Sequence, residues 1–231
     1  YFETLNDPKM LQALLRSVYR VLLGVTVNML LTILVAYPLS FSKEEFPGRN
    51  QYLWFVFFTM LFSGGLIPYY ILIRELGLIN SIWALVLPGI PVFNVIILMN
   101  FFRQLPKELK ESAQIDGANY PGILTRIFLP LSAPALGTLV LFCFIGHWNS
   151  WFDGLIYMNK IELYPLQTYL QTLVQRMNTS PDLEEAKRLA FISRRSLLFA
   201  KVFIAIVPIA LIYPFIQKYY QKGLILGSVK E

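Results

Sequence analysis

Five apolar stretches, each long enough to cross a bilayer as a helix, dominate this chain of 231 residues. They run approximately over Ser17–Phe41, Tyr52–Ile73, Ser81–Phe102, Ser132–Tyr157 and Leu197–Tyr220. A hydrocarbon layer of about 30 Å takes roughly 20 helical residues to cross, so each stretch suffices. Unpaired backbone groups are too costly in hydrocarbon, which leaves only helices and closed barrels as spanning structures. A barrel strand needs polar and apolar residues in alternation, and none of these stretches alternates. The fold class expected is therefore all-α: a polytopic membrane protein with five transmembrane helices. Composition agrees, because 56% of the residues are hydrophobic and 15% charged, against about 45–50% and about 25% in soluble domains.

The same composition excludes other classes. A net charge of +6 could serve nucleic acid, but no basic helix or aromatic–basic ribbon accompanies it, and Lys and Arg beside spans suit lipid headgroups instead. The single cysteine, Cys143, lies in an apolar run and reads as a packing residue. The chain opens on the polar YFETLNDPK, with no signal-like stretch. Each span carries a helix breaker: Pro38, then Gly64-Gly65 and Pro68, then Pro88 and Pro91, then Gly146, then Pro208 and Pro214. Such breaks are tolerated where neighbouring helices or water satisfy the freed groups.

Between the third and fourth spans lies a polar segment, RQLPKELKESAQIDGANYPGILTRIFLP, over residues 103–130. Pro106 precedes a run of good helix formers, Lys107–Ala118, with apolar residues at Leu109, Ala113 and Ile115; Gly117, or Gly122 with Pro121, would end it. A short helix hinged to two spans is a mechanical lever, and its face suits a groove on a soluble partner. Within it, Glu111-Ser112-Ala113, Gly117 and Ile127-Phe128-Leu129-Pro130 fall at the spacing EAA–x3–G–x9–I–x–LP.

That spacing resembles the cytoplasmic coupling loop of permease subunits in binding-protein-dependent ABC importers. Ser112 departs from the pattern's alanine, at a small cost in helix propensity. The resemblance extends through Tyr37-Pro38-Leu39-Ser40, Phe46-Pro47-Gly48-Arg49, Leu76-Gly77-Leu78-Ile79-Asn80, Pro106-Lys107-Glu108-Leu109, Trp148-Asn149 and the closing Lys222-Gly223 and Gly227-Ser228-Val229-Lys230. Over nearly the whole chain it looks like the maltose-permease type of carbohydrate importer, in its LplC/YtcP-like branch. The resemblance implies a single type I permease domain over 1–231 with a core of six spans, of which this chain would lack the first.

It also implies that the helix sits in a cleft of an ATP-binding subunit. Glu111 would make the polar contact, Ala113 and Gly117 would allow close approach, and Asp116 would cap or pair nearby; Ser112, Ile127, Leu129 and Pro130 complete the coupling set. The implied partners are a second homologous permease, two ATP-binding subunits, an extracytoplasmic solute-binding protein, membrane lipid and a carbohydrate, without nucleic acid. No cofactor is expected in this chain, ATP and Mg being bound by the partners, and the localisation implied is the bacterial cytoplasmic membrane.

A second constellation, His147-Trp148-Asn149-Ser150-Trp151-Phe152-Asp153, ends the fourth span. Aromatic faces among hydrogen-bonding groups suit a sugar, so Trp148, Asn149, Trp151, Phe152 and Asp153 are candidates for the substrate path. The alternative is an aromatic belt at a membrane interface. A third feature is the segment 159–196, where Lys160, Arg176, Lys187, Arg188, Arg194 and Arg195 outnumber Glu162, Asp182, Glu184 and Glu185. Net positive charge near an entrance would favour an acidic oligosaccharide such as an alginate or pectin fragment; loop solvation and a docking surface for the binding protein explain it more simply. Two short helices are expected here, one starting at Ser180-Pro181 and one over Pro165–Val174.

Lys and Arg divide almost evenly between the two sides, so charge does not orient the spans; the 103–130 loop does, placed inside. The chain has no phosphate-binding G-x4-G-K-[ST], HExxH, CxxC or G-x-S-x-G, and no metal site is expected. An enzymatic reading has no support. The remaining rivals are an ABC permease for a non-sugar solute and an ion-coupled secondary transporter, which would need mid-span ionisable residues and an internal repeat.

Overall fold

The computed structural model describes residues 7–87, 91–178, 199, 201–203, 205–208 and 210. Every regular element among them is helical. In chain order these are α1 (Pro8–Ser40), α2 (Arg49–Leu61), α3 (Leu66–Glu75), α4 (Trp83–Val86), α5 (Val92–Gln104), α6 (Lys107–Ile115), α7 (Tyr120–Ile123), α8 (Leu129–Leu131), α9 (Ala133–Asn149), α10 (Phe152–Tyr157) and α11 (Leu166–Asn178). A π-helical turn, Leu124–Phe128, joins α7 to α8, and a 3-10 turn, Ile161–Leu163, precedes α11.

The first span begins earlier than the hydropathy predicted, at Pro8, because the polar positions Gln12, Arg16 and Ser17 continue the same helix. At 33 residues α1 is about 50 Å long, so its ends extend beyond the hydrocarbon. Pro38 lies inside α1 without breaking it. The second span is broken as expected around Gly64-Gly65, where α2 ends and α3 begins, while Pro68 sits in the first turn of α3. The third is interrupted between α4 and α5, with Pro91 as the residue before α5; Pro88 lies outside the described residues. The fourth departs most: Gly146 is helical within α9, the interruption falls at Ser150-Trp151, and an 84° bend at Ser132 joins α9 to the 120–131 segment. Pro208 is helical, whereas Pro214 and most of the fifth span lie outside the described residues. Among the described residues, one helix is long and apolar enough to span a membrane by itself, and there are up to three spans if each bent pair counts as one. The helix expected from Pro165 to Val174 is α11; the one at Ser180-Pro181 and the basic residues Lys187, Arg188, Arg194 and Arg195 fall outside the described residues.

The chain divides into two compact units. The first comprises residues 1–25, 66–88 and 144–214. Its larger core joins Met10, Ala13 and Val21 of α1 to Trp148, to Leu166, Tyr169 and Leu170 of α11, and to Ala205. The buried hydroxyl of Ser17 accepts a hydrogen bond from the Leu166 amide at 2.7 Å, satisfying one of the donors that a helix start leaves open. A second cluster packs Ile73, Ala84 and Leu85 on Tyr157 and Met158. Asn80, at φ 63°, holds it: its amide donates to the Tyr157 carbonyl at 3.0 Å and its side-chain oxygen accepts from the Asn159 amide at 2.7 Å.

The second unit comprises residues 26–65, 89–143 and 215–231. Val95, Leu98, Met99 and Phe102 form the buried face of α5, against which α2 packs. Arg49, 8% exposed, donates from Nε to the Leu39 carbonyl at 2.8 Å, placing a cation at the negative end of α1. Outside these cores many large apolar side chains are exposed. Trp54 is 75%, Phe55 67%, Leu61 72% and Ile67 72% exposed, an exterior that lipid or another apolar helix would cover.

Candidate functional sites: the 103–130 segment and the fourth-span break

The polar segment folds as its residues dictate. Leu105 and Pro106 are extended, and α6 starts at Lys107 with Glu108 in its first turn, where the helix dipole favours an acid. It ends in a Schellman motif. The Ala118 amide donates to the Ala113 carbonyl at 2.9 Å, the Gly117 amide to Gln114 at 3.0 Å, and Gly117 takes φ +79°. A Cβ on Gly117 would meet nothing within 4 Å, so glycine is required there by backbone conformation, with the space around it open. Asp116 contributes through its backbone amide, which donates to the Ser112 carbonyl at 3.0 Å.

The two faces of α6 differ. Glu108, Glu111, Ser112 and Ile115 are exposed, and Ile115, 87% exposed, is an apolar knob one turn beyond Glu111. Lys110 is buried, with a cavity of about 370 Å³ beside it, lined by Ser40, Phe41, Glu45, Arg103, Lys107 and Glu111 among others. The 41–48 loop thus lies beside α6. Sequence reasoning gave Lys110 no part, and its only signal was a lysine on the side of α6 opposite Glu111's neighbours.

After Gly117, the side chain of Asn119 caps α7 by accepting from the Gly122 amide at 2.9 Å. The chain then widens into the π turn, with the Leu129 amide reaching back to Leu124. Pro130 accounts for this: it has no amide to donate, and its ring would press on the carbonyl four residues back. Phe128 is buried, with ring centroids 5.2 Å from Tyr37 and 5.4 Å from Phe102. Ile127 and Leu129 are half-buried and Pro130 is exposed. The Tyr37 hydroxyl donates to the Tyr120 carbonyl at 3.0 Å, so the Tyr37-Pro38-Leu39-Ser40 motif and the loop's return strap meet.

The fourth-span constellation divides in two. Trp148 is 2% exposed, stacks on Phe144 at 6.0 Å and donates from its indole to the Ala205 carbonyl at 3.2 Å. It is a core residue and offers no face to a path within this chain. Asp153 is likewise engaged: it is ion-paired to Arg20, and accepts from the Ser150 hydroxyl at 2.8 Å and the Gly154 amide at 2.8 Å. Within this chain these two side chains are thus held by the fold itself rather than left open to a path. Asn149, Trp151 and Phe152 remain exposed, the last two forming an edge-to-face pair at 5.6 Å. His147 packs against Gly24, where an added Cβ would come within 2.5 Å of its ring.

Arg20 is a second residue that sequence reasoning missed. It is 2% exposed and reaches three carbonyl or carboxylate groups: Asp153 through both terminal nitrogens, the Ser150 carbonyl at 3.1 Å, and the Leu85 carbonyl at 3.4 Å. An arginine inside the first hydropathic run was the available signal, because a charge at such depth needs a partner. The Thr168 hydroxyl donates to the Trp151 carbonyl at 2.8 Å, so the break between α9 and α10 is tied on two sides. Among the described residues no group of three or more His, Cys, Asp or Glu is placed to hold a metal ion.

Comparison with known proteins gives this architecture its context. Residues 5–226 match the model of the family described as binding-protein-dependent transport system inner membrane component. Protein LplC of Bacillus subtilis (strain 168) is 40% identical over the whole of this chain and 78% of its own length. The polygalacturonan/rhamnogalacturonan transport system permease protein YtcP of the same organism is 42% identical over 95% of this chain and 77% of its own length. Among solved structures, a bacterial ABC transporter involved in the import of the acidic polysaccharide alginate contains a similar chain. It has a TM-score of 0.84 and 28% identity, and the match covers 95% of this chain and 78% of that one. The family is one of transport-system inner-membrane components, which sets the enzymatic reading aside. The chain belongs to the binding-protein-dependent transport family and is an inner-membrane permease component of it.

Proposed function

We infer that this permease imports an oligosaccharide of acidic sugars, driven by ATP-binding subunits that grip α6. The observation carrying the mechanical half is the unpartnered outer face of α6, with Glu111 and Ser112 beside the apolar Ile115. A helix of this kind, fixed at both ends to spans by an extended segment and a Schellman turn, converts movement of its docking partner into movement of the spans. Glu111 supplies the polar contact, Ala113 and Gly117 the close approach, and the Ile127–Pro130 turn the hinge. A second permease chain completes the path, a solute-binding protein delivers the sugar from outside, and the ATP and Mg reside in the ATP-binding subunits.

The substrate half rests on chemistry shared by relatives. YtcP is named for polygalacturonan and rhamnogalacturonan, and the similar solved structure is that of an alginate importer; these polymers contain uronic acids. Exposed Trp151 and Phe152, with Asn149 nearby, offer ring faces and an amide to a sugar. The deciding experiment purifies the assembled transporter and measures ATP hydrolysis stimulated by binding protein loaded with oligogalacturonate, alginate oligomers or neutral malto-oligosaccharides. Stimulation by the acidic oligomers alone is expected, and stimulation by the neutral ones alone would overturn the substrate assignment. Glu111→Ala is expected to release the ATP-binding subunits; retention of both subunits and activity removes Glu111 from the coupling role.

A further inference from the structure

We propose that Lys110 is a positioning residue that pins the coupling helix to the end of the first span, so that movement of α6 reaches α1 directly. This rests on the proposed role of α6 in ATPase coupling. It adds a route of transmission that neither the motif nor the chain's connectivity supplies.

The chain's covalent path carries α6 movement elsewhere. Through extended Leu105-Pro106 it reaches α5, and through the Gly117 turn it reaches α7 and α9. The end of α1 lies more than sixty positions away in sequence and has no covalent share in that movement. The direct tie from α6 itself to that end is Lys110, the one buried residue of α6, while the Tyr37–Tyr120 hydrogen bond reaches only α7. Its ammonium donates to Glu45 Oε2 at 2.6 Å, and Glu45 belongs to the loop that follows α1. The same nitrogen sits 3.9 Å from the centroid of the Phe41 ring and 5.8 Å from that of Tyr120. A cation held at once by a carboxylate and an aromatic face is fixed in direction as well as distance.

The rest of the contact is loose. The cavity of about 370 Å³ between these elements includes Ser40, Phe41, Glu45, Lys107, Lys110 and Glu111 in its wall. Continuous packing therefore does not substitute for the pin. On the far side, Phe41 meets Tyr37 edge-on at 4.8 Å, and Tyr37 meets Phe128 at 5.2 Å. A displacement of Lys110 is thus delivered into close-packed rings at the end of α1, and packed aromatic cores shift as units rather than deform.

The test is a distance measured in the assembled transporter. Nitroxide labels at Glu44 and Glu108, both exposed, report the separation of the loop and α6 by pulsed electron resonance, without nucleotide and with ATP and vanadate. In the otherwise wild-type protein the distance should stay the same in both states, because the two segments travel together. With Lys110→Met, which keeps the stem and removes the charge, addition of nucleotide should shift the distance by about 2 Å or more, the scale of helix displacements in such transitions. Lys110→Arg retains the cation and should restore the wild-type result, which a purely structural role for lysine packing would not do. An unchanged distance in Lys110→Met with the ATP-binding subunits still attached overturns the pin and leaves the coupling reading standing. Failure of the wild-type chain to retain those subunits overturns the coupling reading instead. Where Lys110→Met does not assemble, Glu45→Gln carries the same test: a nucleotide-dependent shift supports the pin and a constant distance refutes it.

Discussion

Replacing Asp153 by leucine strands the guanidinium of Arg20 where water barely reaches it. Arg20 is 2% exposed and its partner 24%, so the two halves of this pair are not equivalent. Without Asp153, a nearly inaccessible cation keeps only the Ser150 and Leu85 carbonyls, and breaking a buried pair in this way costs about 3–5 kcal/mol. Without Arg20, Asp153 still has the Ser150 hydroxyl and the Gly154 amide and is partly hydrated. Arg20→Met should therefore cost less, about 1–3 kcal/mol, chiefly for the carbonyls left unpaired. The double replacement removes both charges and should recover much of the loss, leaving a coupling energy of about 2–3 kcal/mol. Unfolding in mixed micelles, followed by the fluorescence of buried Trp148, measures each cost. Equal or additive effects, or Arg20→Met proving the more damaging, would refute the argument from burial.

Two further outcomes follow from single contacts. Gly24→Ala should destabilise the protein by about 1–3 kcal/mol through overpacking, since the new Cβ would fall 2.5 Å from the His147 ring; adding His147→Ala should relieve it in the same unfolding assay. Asp7 is pushed up by burial, but the Lys201 ammonium, 2.5 Å away, together with the Lys9 and Met10 amides outweighs this and holds its carboxyl below the ordinary 3.8. Its stabilisation is complete above 3.8 and is lost as pH falls through the depressed folded value. Thermal unfolding should thus show a fall at the acid end that Asp7→Asn abolishes, and an identical pH profile in that variant would contradict the pairing.

The sequence made the helices legible wherever local chemistry decided them. Lys107 as the start of α6 follows from Pro106, and its end follows from Gly117, whose positive φ the Schellman turn demands. The same holds for the α2–α3 break at Gly64-Gly65. What stayed hidden depends on partners far along the chain. The fourth span was expected to break at Gly146, but that glycine is comfortable in α9. The break falls instead where Arg20 and Thr168 capture Asp153 and the Trp151 carbonyl. Trp148 looked like a ring offered to sugar, and its burial could be learned only from its neighbours in α1 and α11. Lys110 looked like a solvated lysine until Glu45 and Phe41, brought from the end of α1, enclosed it.

The claim that α6 is the handle of a nucleotide-driven motor is tested most directly at Ile115, the 87% exposed residue on its outer face. A photoreactive amino acid placed there, in cells expressing the whole transporter, should form a covalent adduct with an ATP-binding subunit upon illumination. Labelling of Ile115→Cys by a membrane-impermeant reagent added outside the cells, with no such adduct, would contradict the account.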